Sequence, residues 1–243
     1  MHPQLVLLIA ALTFVATLVG GAAALRMRDR LHLILGFSAG AVIAVAFFDL
    51  LPESLSLGRG VHDAATLLSI TAGGFFLYMV MDRLTLFHTH LDDEHLGATV
   101  QRGWTGAASL SAHSFMDGFA IGVAFQASTV AGYVVAFAVL AHDFSDGLNT
   151  VSVVLKNKGT QRQAFGWLTV DAVMPVIGAA TSLAVRLPGT LLSIVLALLA
   201  GFFFYIGGSD LVPDSYHAHP KFLTTLMTLA GAGVLYLVVR LAG

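Results

Sequence analysis

Along the chain, apolar residues come in runs of bilayer length, separated by short polar connections. Crossing a bilayer as a helix takes about 20 predominantly apolar residues, within a range of roughly 17 to 25. Eight runs qualify: Leu5–Leu25, Leu31–Leu51, Ala64–Met81, Trp104–Phe125, Val130–Leu155, Ala164–Val185, Thr190–Val212 and Phe222–Leu241. The pattern predicts an all-α polytopic membrane protein, one domain of eight transmembrane helices over residues 1–243. The first run is too long for a signal peptide and has no basic leader, which reads as a retained span. The longest polar stretch, residues 82–103, lies between the third and fourth spans and holds His88, His90, Asp92, Asp93, Glu94 and His95.

Composition agrees: 57% of residues are hydrophobic and 11% are charged. Soluble domains carry about 25% charged residues, so so few charges could not cover a soluble core of this size. The chain has no cysteine, which excludes disulfides, thiolate metal sites and cysteine nucleophiles. Its net charge of −2 provides no basic stripe for nucleic acid.

The few basic residues set the topology. Arg26, Arg28, Arg30, Arg83, Arg102, Lys156, Lys158, Arg162 and Lys221 fall on one side, and Arg59, Arg186 and Arg240 on the other. The richer side is cytoplasmic by the positive-inside rule, which predicts a multi-pass protein of the cell (inner or plasma) membrane with both termini outside.

Two internal repeats follow. Asp49-Leu50-Leu51-Pro52-Glu53-Ser54 ends the second span and Asp210-Leu211-Val212-Pro213-Asp214-Ser215 the seventh, with Gly40 and Gly201 at the same offset. Ala72-Gly73 and Leu77-Tyr78 of the third span match Ala230-Gly231 and Leu235-Tyr236 of the eighth. Spans one to three thus resemble six to eight, and an offset of five spans inverts the second copy. The expected organisation is a first repeat over 1–87, a cytoplasmic His/Asp-rich loop over 82–103, a central metal-binding helix pair over 104–155 and a second repeat over 163–243. Inverted repeats with a site at their interface characterise transporters. Within the central pair, His113-Ser114-Phe115-Met116-Asp117-Gly118 recurs as His142-Asp143-Phe144-Ser145-Asp146-Gly147.

Asp49, Asp117, Asp143, Asp146, Asp171 and Asp210 all fall inside spans, with no Lys or Arg at comparable depth. Each would cost on the order of 2.5–3.5 kcal/mol at mid-bilayer. Such acids are either protonated and hydrogen-bonded to one another or hold a cation. His113 and Asp117 are four apart, as are His142 and Asp146, so each pair shares one helix face. Two such faces opposed form a His₂Asp₂ cluster, with Ser114 and Asp143 alongside and Asn149 able to add an amide oxygen. Imidazole with carboxylate suits Zn²⁺, Fe²⁺, Co²⁺ or Mn²⁺, and the lack of thiolate disfavours Cu(I).

Asp171, on the sixth span, precedes Pro175, which leaves the carbonyl of residue 171 without its helical partner. This is either part of a cation site or a packing kink. Asp49 and Asp210 either line an ion path, with Glu53 nearby, or cap proline-terminated helices. His88, His90 and His95 either bind metal transiently or belong to a solvated linker, and the same holds for His217 and His219. Gly118 and Gly147 suit close helix packing.

This arrangement resembles the ZIP family of divalent metal transporters, over essentially the whole chain and most specifically in the His-x-x-x-Asp-Gly motifs. The resemblance implies a 3+2+3 bundle in which inverted three-helix repeats sandwich the fourth and fifth helices. It also implies uptake of Zn²⁺, or of Fe²⁺, Mn²⁺, Co²⁺ or Cd²⁺, as substrate at a binuclear centre. His113, Asp117, His142 and Asp146 would form one subsite. Ser114, Asp143 and Asp171 would form the other, bridged by Asp117 and Asp146. Three departures stand out: Ser114 where the family often has Asn, Asp117 and Asp146 where many members have Glu, and Met174 where an acid often precedes the proline.

The expected function is inward transport of a divalent transition metal by alternating access, with metal ions and the lipid bilayer as partners, no nucleic acid, and a homodimer as an open arrangement. The alternative is an intramembrane zinc hydrolase. Against it, His-Glu-x-x-His is absent and six span carboxylates exceed the needs of one catalytic metal. Haem ligation by His113 and His142 conflicts with the adjacent carboxylates.

Overall fold

The computed structural model of the protein describes residues 3–23, 31–90, 96–217 and 222–242, and every regular element among them is helical. In chain order these are α1 (Pro3–Ala23), α2 (Leu31–Val45), α3 (Leu51–Leu57), α4 (Ala64–His90), α5 (Leu96–Ala127), α6 (Thr129–Lys156), α7 (Gln161–Ala184), α8 (Gly189–Tyr205), α9 (Val212–His217) and α10 (Phe222–Ala242). A π-helical turn, Ala46–Leu50, joins α2 to α3, and a second, Ile206–Leu211, joins α8 to α9. Among the described residues, six stretches are long and apolar enough to cross a membrane: Pro3–Ala22, His32–Leu57, Ala64–Arg83, Gln161–Ala184, Gly189–Leu211 and Phe222–Leu241. The remaining long helices, α5 and α6, carry the His/Asp motifs mid-length.

Side-chain placement is that of a protein solvated by hydrocarbon. Leu8, Leu12, Val15 and Val19 of α1 recur at helical spacing and are about half exposed, whereas Thr13 and Thr17 of the same helix are buried. On α10, Leu223, Leu226, Leu229 and Leu237 form the exposed face. The two buried threonines return their hydroxyls to backbone carbonyls one turn back, Thr13 to Ala10 at 2.9 Å and Thr17 to Thr13 at 3.0 Å. That removes the penalty of an unpaired hydroxyl in an apolar medium. At the exposed start of α4, Asp63 accepts from the Thr66 amide at 2.7 Å, and hydrogen bonding from Thr66 holds its carboxyl below the usual range.

Helices pair as α2 on α10, α4 on α8, α1 on α6 and α5 on α7. The pairs meet at glycines where no side chain would fit. A Cβ on Gly40 would fall on the Thr228 carbonyl, and one on Gly201 on the Thr71 carbonyl. Gly118 of α5 abuts the Pro175 carbonyl and Gly147 of α6 the Thr17 carbonyl. Gly74 lies against Leu198 and Gly231 against Phe37. The first of these contacts joins α4 to α8 and the second α10 to α2.

Two expectations change. Residues 82–103 are not a loop throughout: α4 runs on to His90 and α5 begins at Leu96. No proline or glycine interrupts 82–90, so the helix continues past its apolar run. His88 and His90 fall on the final turns of α4, while His95, with Asp92, Asp93 and Glu94, lies outside the described residues, as does His219. Likewise Pro52 and Pro213 do not end their helices. The π turn shifts the bonding register by one residue, with the Leu51 N–H reaching the Ala46 carbonyl and the Val212 N–H the Gly207 carbonyl. Each proline then sits at the start of a new helical segment, where its missing N–H costs little. Asp49 and Asp210 are therefore residues of π turns and not caps.

The adjacent glycines of α4 provide a test of this packing. Gly73 is exposed with nothing near it, so Gly73→Ala should be neutral or stabilising by up to about 1 kcal/mol. Gly74 is buried against the Leu198 backbone, so Gly74→Ala should destabilise by about 1–3 kcal/mol. Melting temperatures in detergent, lower for Gly74→Ala alone, check both.

Candidate metal centre

On α5 and α6 the i, i+4 spacing turns one histidine and one aspartate to the same face, and the two faces meet. The Nε2 of His113 lies 3.2 Å from Asp117 Oδ2 and 3.6 Å from Asp146 Oδ2; the Nε2 of His142 lies 3.3 Å and 3.6 Å from the same two oxygens. All four ligand atoms are within 4.8 Å of one another, and all four residues are buried. A tetrahedral zinc with ligands at roughly 2.0–2.1 Å has edges of about 3.3–3.4 Å. The four N···O edges bracket that value.

The electrostatics demand a cation or protons. Asp117 Oδ1 and Asp146 Oδ2 are buried with no hydrogen-bond partner, and the ion pairs of both aspartates are to the two histidines. Between Arg102 and Lys156 the chain has no basic residue other than these histidines. A carboxylate oxygen orphaned in an apolar interior is costly, and a divalent ion at the centre of the four donors would meet Asp117 Oδ2 and Asp146 Oδ2 and neutralise both carboxylates at once. Neutral histidine presents one lone pair. For His142 the choice is made by Ala138, whose carbonyl accepts from Nδ1 at 2.8 Å, so Nε2 carries the lone pair and directs it into the centre, 3.3 Å from Asp117 Oδ2.

The other expected residues divide. Asp171, fully buried on α7, has each oxygen bonded: Ser114 donates to Oδ1 at 2.8 Å and Thr150 to Oδ2 at 2.8 Å. This ties α5, α6 and α7 together, and Asp171 joins the cluster through hydroxyls instead of facing it open. Asp143 is buried with Oδ2 unpartnered. Asn149 and Asp210 line a cavity that starts at the site, whereas Asp49 does not reach it and is buried with Oδ2 unpartnered. Glu53 is half-buried one turn beyond Asp49. Sequence reasoning missed Thr150, which had no motif around it, and Tyr78, noticed only as a repeat match; the Tyr78 hydroxyl is 2.8 Å from His113 Nδ1.

The cavity has a volume of about 300 Å³ and is bounded by His113 and Asp146 at one end and by Asp82, Gly106, Val153, Ser209 and Asp210 farther along. From His113 to Gly106, and from Asp146 to Val153, is about 10 Å of helix, toward the end of the bundle holding Arg102 and Lys156. On the other side of the site, Ala120, Ile121, Ala124, Val134, Val135 and Ala138 belong to the main hydrophobic core. The site is thus approached from one end and sealed at the other. Because the chain has no cysteine, single cysteines report access directly. Ser109→Cys, on the cavity wall, should react with a charged thiol reagent at least about tenfold faster than Val135→Cys, in the core, where only the thiolate formed in water is reactive.

Comparison with known proteins bears directly on this geometry. The sequence profile of the family described as ZIP Zinc transporter matches residues 87–239, which takes in both motifs, Asp171 and the cavity wall at Ser209 and Asp210. The zinc transporter ZupT of Corynebacterium aurimucosum is 24% identical over 92% of each chain. The zinc transporter YKE4 of Saccharomyces cerevisiae is 25% identical over 80% of this chain and 65% of its own length. The mouse zinc transporter ZIP10 is 33% identical, but the match covers 43% of this chain and 13% of the mouse protein. With the profile spanning well over half of its length and the whole of the candidate centre, the chain belongs to the ZIP zinc transporter family.

Proposed function

We propose that the protein carries Zn²⁺, and related ions such as Fe²⁺, Mn²⁺, Co²⁺ or Cd²⁺, across the membrane into the cytoplasm through the His113–Asp117–His142–Asp146 centre. The observation that carries the reading is the convergence of two Nε2 and two Oδ2 atoms in a buried site whose carboxylates pair with no Lys or Arg among the described residues. Donors at tetrahedral spacing replace the water shell of a d¹⁰ cation. Release follows from the cavity, whose Asn149, Ser209, Asp82 and Asp210 provide oxygens of graded charge along the way out.

We infer eight spans with both termini outside, which puts the cavity on the cytoplasmic side and makes this an inward-facing state. The paired glycine contacts support an inverted repeat: exchanging the first three spans with the last three, and the fourth with the fifth, maps α2·α10 onto α8·α4 and α1·α6 onto α7·α5. Alternating access is then a rocking of these repeats about α5 and α6, opening the Val134–Ala138 side as the cavity closes. A second metal beside the first would use Asp143 Oδ2 and Asp117 Oδ1, both unpartnered, with Asp171 and Ser114 exchanging their mutual hydrogen bond for the ion.

The hydrolase alternative gains nothing from the geometry, since a catalytic zinc keeps a position open for water and here four chain ligands converge.

Proteoliposomes loaded with a metal-sensitive dye test the reading. Wild type should show saturable Zn²⁺ influx, and His142→Ala and Asp146→Ala should each reduce it at least about tenfold, consistent with loss of a metal ligand. Influx should also fall as pH is lowered, because protons occupy the same imidazole and carboxylate lone pairs as the metal. Unchanged influx in both variants contradicts the proposal.

A further inference from the structure

The two histidines of the centre are held differently at their outer nitrogens. His142 Nδ1 faces the Ala138 carbonyl, a group that only accepts, so its tautomer is preset. His113 Nδ1 faces the Tyr78 hydroxyl at 2.8 Å, and a hydroxyl either donates or accepts. Tyr78 is itself buried and fixed: its ring packs against Phe202 and Tyr205, each at 5.4 Å between centroids, and meets the His113 ring edge-on at 83°.

We propose that Tyr78 is a positioning residue that lets His113 alternate between its two neutral tautomers, giving a hydrogen bond to Asp117 when the centre is empty and a lone pair to the cation when it is loaded. The inference rests on the reading of the four-residue cluster as the metal site. Without a cation, His113 Nε2 lies 3.2 Å from Asp117 Oδ2, within reach for its N–H to be given to that oxygen, and the Tyr78 hydroxyl, 2.8 Å from Nδ1, donates there. A cation repels that Nε2 proton and needs the lone pair beneath it. The proton then leaves Nε2 for cavity water, while Tyr78 passes its hydroxyl proton to Nδ1 and takes one from water in turn. Imidazole and phenol both end neutral, and Tyr78 now accepts from Nδ1–H. Both Tyr78 and His113 line the cavity of about 300 Å³, which has room for several waters at roughly 30 Å³ each. Emptying reverses the exchange and returns a hydrogen bond to Asp117, so the vacated centre does not hold two bare carboxylates against two lone pairs.

The test uses the purified full chain in detergent, titrated with Zn²⁺ against a chromophoric chelator. Tyr78→Phe should weaken binding about 10- to 100-fold, as loss of an outer partner of a ligating histidine does. Tyr205→Phe, which removes a hydroxyl bonded to Asp82 from the same aromatic cluster, should bind as wild type. In a His113→Ala background, Tyr78→Phe should have no further effect, which a general loss of packing would not produce. Imidazole ¹⁵N shifts should report Nε2–H at His113 without metal and Nδ1–H with it. Wild-type affinity in Tyr78→Phe, a loss that persists in His113→Ala, or an Nδ1–H tautomer already present without metal each overturns the inference. Zinc binding without flux overturns the transport reading and leaves this one standing; a wild-type chain that binds no zinc overturns both.

Discussion

Two aspartates face two histidines inside a bundle whose outer surface is apolar, with no arginine or lysine paired to them among the described residues. Everything else in the structure is arranged around that constraint. In hydrocarbon each bare carboxylate costs several kcal/mol, so a fold that buries Asp117 Oδ1, Asp143 Oδ2 and Asp146 Oδ2 without hydrogen-bond partners is stable only with a positive ion or protons to neutralise them. Buried hydroxyls of Thr13, Thr17 and Ser111 bond back to their own helices, those of Ser38, Ser54, Ser114 and Thr150 bond across to neighbouring ones, and leucines of α1 and α10 turn outward.

Helix packing serves the same end. With lipid outside, burial of apolar area gives no drive for helices to associate, and close van der Waals contact at small residues takes its place. The glycine that ends each motif is the point where the motif helix touches a flanking one, Gly118 on Pro175 and Gly147 on Thr17. One residue after each aspartate of the candidate centre, the backbone is therefore fixed against a neighbour, which sets the depth and rotation of Asp117 and Asp146. Ser114 and Thr150, donating to the two oxygens of Asp171, lock the third helix onto the same pair. Met174, where an acid often stands in the family, leaves Asp171 one turn earlier, and the hydroxyls of Ser114 and Thr150 are what it meets there.

Much of this was legible in the sequence because it was written in periodicities. Bilayer-length runs gave the helices, and the i, i+4 spacing repeated on consecutive spans gave the four donors before any coordinate did. What was not legible depended on contacts between distant segments. Tyr78 reaches His113 only because α4 packs beside α5, and Thr150 reaches Asp171 across two helices. The π turns were hidden because proline after an apolar run signals a helix end, while a one-residue register shift lets the rod continue through Pro52 and Pro213. Residues 82–90 looked like a loop because polarity was read in place of helix propensity.

The central claim is that His113, Asp117, His142 and Asp146 together ligate the transported ion. X-ray absorption at the zinc edge, on purified protein carrying one equivalent of Zn²⁺, addresses it most directly. The account predicts four nitrogen and oxygen ligands at about 2.0–2.1 Å with the outer-shell scattering of two imidazoles, reduced to one imidazole in His142→Ala. A shell of six oxygens without imidazole scattering, or a spectrum unchanged in His142→Ala, would contradict it.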